Sequence, residues 1–83
     1  MDTDSDIESE TYNLRILSER LIKLRKENKL SQNTVSYITN FPRSTIAAWE
    51  RGERVPNVDE IKNIALFYDV SVGYLLGFKD KKM

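Results

Sequence analysis

LSQNTVSYITNFPRSTIAAWERGERVP, residues 30–56, reads as two short helices joined by a tight turn. From Gln32 to Thr39 the apolar side chains fall at Val35 and Ile38. Asn40, Phe41 and Pro42 then interrupt the pattern, and Arg43 to Glu50 resumes it with Ile46 and Trp49 on the inward side. Helices of about eight residues do not hold by themselves, so both must pack on neighbours. The second then turns outward Arg43, Ser44, Thr45, Ala47 and Ala48, a face that is short, small and hydrogen-bonding rather than fully charged. Such a face suits insertion into a groove.

Working outward, Leu14, Leu17, Leu21 and Leu24, with Ile22 beside them, follow three- and four-residue steps and predict an amphipathic first helix ending near Asn28. Its wet side carries Arg20, Lys23, Lys26 and Lys29. Ser31 is placed to cap the second helix, its hydroxyl taking an amide proton that the first turn leaves free. Beyond the loop Glu53–Pro56, Asn57 with Glu60 three residues on predicts a capping box. It opens a fourth helix carrying Val58, Ile61, Ile64, Ala65 and Phe67 or Tyr68, and stopping near Asp69. Ser71 opens a last short helix through Val72, Tyr74, Leu75 and Leu76, closed by Gly77. Nothing repeats internally. The pattern predicts an all-α, compact five-helix domain over residues 11–78, preceded by a flexible acidic tail over residues 1–10 and followed by a frayed basic tail over residues 79–83. Trp49, Ile46, Val35, Leu21, Ile61, Leu75 and Leu76 form its expected core.

Eighty-three residues make one domain with no room for a large enclosed substrate cavity. The chain has no cysteine and no histidine, which removes disulfides, thiolate chemistry, imidazole bases and the usual zinc ligands. No nucleophile stands beside a base, so no enzyme, cofactor or small-molecule substrate is expected. There is neither a basic leader nor an apolar run approaching the roughly 20 residues that cross a bilayer, which predicts a soluble cytoplasmic protein with no membrane partner. The net charge is zero, yet it hides a split: Asp2, Asp4, Asp6, Glu8 and Glu10 are acidic, and no lysine or arginine precedes Arg15. From Thr11 onward all 13 basic side chains face eight acidic ones, a surplus of five that suits phosphate binding.

Leu30, Ser31 and Gln32, then Arg43 to Ile46, then Trp49 to Gly52, then Pro56 resemble in order and spacing the helix-turn-helix of the phage lambda repressor and Cro (XRE-type) family. The likeness extends through Leu17, Arg20, Leu21, Leu24 and Arg25 upstream and through Asp69 to Gly77 downstream, roughly residues 14 to 77. It implies a lambda-repressor-like fold, binding to duplex DNA as a homodimer on two-fold operators, a phosphate-contacting glutamine at Gln32, backbone contacts near Arg51 and Arg54, and a structural pair of Arg25 with Glu50. The chain departs from the family pattern in having Asn40 where glycine is usual, Ser36 for alanine, and Pro42 where a capping serine is common. Asparagine tolerates positive φ, serine keeps the volume small, and proline presets the helical φ in place of a hydroxyl cap.

From the residues alone, Gln32 and Asn33 are either ordinary polar residues of a first turn or phosphate contacts at the positive end of a helix. Arg43, Ser44, Thr45 and Ala48 are the base-reading candidates. Arg43 can bridge O6 and N7 of guanine, while Thr45 and Ala48 offer methyl groups to thymine; solvated charge and plain helix formers are the competing readings. Arg51 and Arg54 are either backbone-contacting or solvated. The expected function is a sequence-specific DNA-binding transcriptional regulator, a repressor of phage or bacterial type, reading the major groove with its third helix. The expected dimer contact lies around Val72, Tyr74, Leu75 and Phe78. The alternative is an antitoxin-like or other protein-interaction module with DNA contact secondary. The acidic residues 2–10 motivate it; they equally suit competition with DNA for the basic face, or plain solvation.

Overall fold

Asn13 opens the first helix in the computed structural model, which describes residues 13–83: its side chain accepts a hydrogen bond from the Ile16 amide, and α1 runs over Leu14–Glu27. The acidic tail expected over residues 1–10 lies outside the described residues. Leu17, Leu21 and Leu24 of α1 are buried, as their spacing requires. The helix ends where Lys29 turns to φ 58° and the Leu30 amide reaches back to the Arg25 carbonyl. Helix α2 (Gln32–Thr39) follows at once, with the Ser31 hydroxyl accepting from the Thr34 amide at 3.0 Å.

The turn after α2 is stitched by its own side chains. Asn40 takes the left-handed conformation at φ 66°, the role for which glycine is usual. Ser36 donates its hydroxyl to the Phe41 carbonyl at 2.6 Å, and Thr39 Oγ1 accepts from the Phe41 amide while donating to the Val35 carbonyl. Pro42, at φ −56° and without a side-chain cap, starts α3 (Arg43–Arg51), which Gly52 closes at φ 73°. Helix α4 (Val58–Tyr68) opens on the Asn57–Glu60 capping box, both bonds at 2.8 Å, and Asp69 at φ 58° ends it. Helix α5 (Val72–Leu75) is capped by Ser71, and Gly77 at φ 86° turns the chain away. These five helices, with no strand among the described residues, make the expected all-α domain.

Helix α3 is central: α1 and α2 both pack on it, while α4 packs on α2 and α5, and α5 on α1. Trp49, 1% exposed, sits at the middle of the core with Leu17, Leu21, Val35, Ile46, Ile61, Ile64 and Leu75, and Phe41 meets its ring edge-on at 5.0 Å.

Ile38, apolar but not among the expected core residues, is 55% exposed, because a helix as short as α2 buries one apolar position, Val35, against its neighbours. Two expectations are corrected. Tyr74 and Leu75 are buried, so they cannot form the dimer contact expected of them; α5 spends its apolar face on α1 and α4. The C-terminal residues are held rather than frayed. The Arg20 guanidinium stacks on the Tyr74 ring and donates to the carbonyls of Tyr74 and Lys79. The Ser71 amide donates to the Lys82 carbonyl at 2.6 Å, and Lys82 Nζ meets Glu27 at 2.9 Å.

Candidate nucleic-acid interface

A helix turns about 100° per residue, so α3 sorts its side chains by angle. Trp49 and Ile46 define the inner side, and Glu50, with a side chain 5% exposed, follows them inward. Arg43, Ser44 and Arg51 are exposed and Ala48 is partly so. These four form the outer stripe. Thr45 and Ala47 do not belong to it: they are 8% and 5% exposed. Thr45 stands four residues before Trp49 and one before Ile46, which puts it on the core edge, and Ala47 stands three before Glu50. The three- and four-residue spacings that group Thr45 with Ala48 group it equally with Trp49, and packing decides between them. The Thr45 hydroxyl accepts instead from Arg54 NH1 at 3.3 Å, which draws that loop arginine back against α3.

Behind the stripe runs a continuous polar chain. Arg25 of α1 grips Glu50 with two bonds, Nε to Oε2 at 2.7 Å and NH2 to Oε1 at 3.0 Å, and gives NH1 to the Leu30 carbonyl at 3.0 Å. The bond to Glu50 raises the Arg25 pKa despite the opposing effect of burial. An acid on this helix is thus turned inward and neutralised. Gln32 Nε2 donates to Glu50 Oε1 at 3.0 Å, and Gln32 Oε1 accepts from Arg43 NH1 at 3.2 Å. The amide of Gln32 is therefore oriented at both ends and retains one N–H of its two. Tyr68 closes the inner side. Burial first, and the Glu50 charge second, push its hydroxyl up to about 12, with Arg25 opposing.

The flanks are less committed. Asn33 is exposed on the first turn of α2. Arg51 pairs with Glu53 at 3.0 Å on an open edge, which raises the arginine and lowers the glutamate. Arg51 and Gly52 also border an open groove of about 370 Å³ that they share with Leu14, Arg15, Ser18 and Ile22 of α1. The structure thus brings Gln32 and Arg43 together and sets Arg51 and Arg54 at the far end of the same helix. Neither the Gln32–Arg43 contact nor the Arg54–Thr45 bond has a signal in the sequence, since both depend on how α2 and the loop meet α3. Among the described residues no group of acids, histidines or cysteines could hold a metal ion, and no helix is long and apolar enough to cross a membrane.

The family model for the helix-turn-helix matches residues 21–75. The uncharacterised HTH-type transcriptional regulator YobD of Bacillus subtilis (strain 168) is 34% identical over 62 residues, covering 75% of this chain and 55% of that protein. The uncharacterised HTH-type transcriptional regulator YqaE of the same organism is 38% identical over 61 residues, 74% of this chain and 53% of that protein. The HTH-type transcriptional activator BcrR of Enterococcus faecalis is 32% identical over 59 residues, 71% of this chain and 29% of that protein. The chain spans about half the length of the first two. No solved structure matches it.

Proposed function

The chain belongs to the XRE-type helix-turn-helix family, and from that membership we propose that it binds double-stranded DNA in the cytoplasm and regulates transcription. The observation that supports this is the outer stripe of α3. Arg43, Ser44 and Ala48 are small or hydrogen-bonding, the first two exposed and Ala48 partly so, and they are bracketed by Gln32 and Asn33 on one side and Arg51 and Arg54 on the other. In the major groove Arg43 reads guanine through O6 and N7, Ser44 bonds a neighbouring base edge, and the Ala48 methyl meets thymine. Thr45 leaves this set and serves as the seat of Arg54. Gln32 and Asn33, with the free amides of the first turn of α2, hold one phosphate; Arg51 and Arg54 hold the backbone at the other end.

Gln32 has a double part in this scheme. Its remaining N–H faces phosphate while its carbonyl holds the Arg43 guanidinium, so backbone grip and base reading meet in one amide. A single stripe makes too few contacts to select a site, so a homodimer on a two-fold operator, with half-sites about 10 base pairs apart, is part of the proposal. Its contact moves away from the buried Tyr74 and Leu75: Leu66 is 78% exposed beside a shallow apolar groove lined by Lys62, Ala65, Val70 and Val72, and Phe78 is 58% exposed. Repression is the output proposed, since a bound dimer excludes other proteins from the same base pairs without a dedicated contact. The test is selection from a random duplex pool, with the winning duplex titrated across salt. A preferred half-site repeated at about one helical turn supports the proposal, and equal affinity for every duplex sinks it.

A further inference from the structure

Trp49 Nε1 is the one buried side-chain polar atom among the described residues that has no hydrogen-bond partner in the protein. The side chain is 1% exposed, so bulk solvent does not reach it. A sealed N–H without an acceptor is costly, and in native cores such groups are met by protein or by ordered water. Trp49 is also one wall of a cavity of about 10 Å³, lined besides by one aliphatic side chain from each of α1 to α4 and by Glu50 and Tyr68. That volume is about the smallest that takes a water molecule, and it excludes a second. We propose that the cavity binds a single structural water, which accepts from Trp49 Nε1 and donates to the Glu50 carboxylate and to the Tyr68 hydroxyl.

A wholly apolar void stays dry, and the three polar walls are what make this one a water site. An ionised carboxylate has about four acceptor sites on its two oxygens. Arg25 takes one on each oxygen of Glu50, and Gln32 takes a second on Oε1, which leaves one on Oε2. Burial, and next the Glu50 charge, hold the Tyr68 hydroxyl at a pKa of about 12, so at neutral pH it is protonated and can both give and accept. The water's two protons and one of its lone pairs match this set, with three bonds as internal waters usually have. It is the inner end of the polar chain that starts at Arg43 and runs through Gln32 to Glu50, and it fastens that chain to the centre of the core.

The test uses the full chain, whose single tryptophan gives one indole N–H signal. A direct rotating-frame cross-peak between water and the Trp49 indole proton is expected. The magnetic relaxation of oxygen-17 in the solvent should show water that exchanges more slowly than the protein tumbles. Oxygen relaxation is blind to protons that exchange through the Tyr68 hydroxyl, so the two readings together separate a bound water from a relay. Domains hold on the order of one internal water per 27 residues, so a variant is needed to isolate this one. Tyr68→Phe removes one of the three partners; the cross-peak should weaken, and the oxygen signal should fall by about one water. A cross-peak lost while the oxygen signal stays overturns the site, because the hydroxyl proton then produced it. Both signals unchanged overturn the part given to Tyr68. Absence of slow oxygen exchange in the parent overturns the proposal outright. So does an indole proton shifted upfield without contact to water, which would set the N–H against the Phe41 ring, 5.0 Å away between centroids. Should Tyr68→Phe fail to fold, the two measurements on the parent still decide.

Discussion

The two sides of α3 use the same nine residues for different ends. On the inner side Ile46, Trp49 and Glu50 are closed off from water, and Glu50 is held by Arg25 and Gln32. On the outer side Arg43, Ser44, Ala48 and Arg51 contribute little to the core. Substitutions should divide accordingly, inner ones altering stability and outer ones altering DNA preference. The largest effect is expected at Glu50. Glu50→Leu strands the Arg25 charge, 15% exposed, without its partner and should cost about 3 to 5 kcal/mol in urea unfolding. The double replacement Arg25→Met with Glu50→Leu removes both charges and should recover most of that loss. Equal losses in the single and the double variant would show that the pair is not the unit that the inner side depends on.

A smaller effect separates the sides by pH. Tyr68 is buried near the Arg25–Glu50 pair, and its hydroxyl is pushed up from 10.0 to about 12. The folded state therefore keeps its proton where the unfolded chain has lost it, so stability is fully present below pH 10 and falls as pH rises from about 10 to 12. Two pKa units correspond to about 2 to 3 kcal/mol. Urea midpoints measured between pH 9 and 12 should fall in the parent and stay flatter in Tyr68→Phe, which removes the titrating group at nearly constant volume. An identical alkaline slope in both proteins would assign the loss to lysines instead.

Much of this architecture was legible because it is written locally. Ser31, Asn57 with Glu60, Ser71 and Gly77 are caps and terminators whose partners lie within a few residues, so the five helices follow from period and punctuation. Facing is a different matter. Thr45 satisfies the spacing of both sides of α3, and the width of the buried arc, set by α1 and α2 together, decides which side it joins. Ile38 and Leu66 have helical periodicity yet are exposed, since no neighbour covers them in this fold. The hold on residues 79–82 depends on Arg20 and Glu27, more than fifty residues away, and nothing near the C-terminus announces it. Arg25 with Glu50 came from family resemblance, not from spacing, which shows how a long-range contact becomes readable only when a related arrangement is known.

On the outer side, Arg43→Ala should leave the urea midpoint within about 0.5 kcal/mol of the parent, as exposed substitutions do. It should remove about 1 to 3 kcal/mol of discrimination at one base pair. Gln32→Ala sharpens the comparison because the residue touches both regions. Its contact with Glu50 belongs to the inner side and its contact with Arg43 to the outer, so it should weaken every duplex and also blur the base pair that Arg43 reads. A double-mutant cycle of Gln32→Ala with Arg43→Ala, scored on binding to matched and mismatched duplexes, should show coupling at that base pair alone. Strict additivity would mean that Gln32 does not aim the guanidinium.

The smallest effect belongs to the turn, which lies on neither side of the helix. Asn40 stands at φ 66°, where an ordinary L-residue is strained and glycine is not. Asn40→Gly relieves that strain but loosens the unfolded chain, a loss of about 0.5 to 1 kcal/mol, so the two terms nearly cancel. The urea midpoint should move by no more than about 0.5 kcal/mol, whereas Asn40→Ala should cost about 1 kcal/mol. The decisive measurement is base preference. The Ser36 and Thr39 hydroxyls hold the turn through Phe41 and Val35 without any help from the Asn40 side chain, so the direction of α3 should be unchanged and the preferred duplex the same. A shifted preference in Asn40→Gly would mean that the turn, and not the grip of Arg25 and Gln32 on the inner side, sets where Arg43 points.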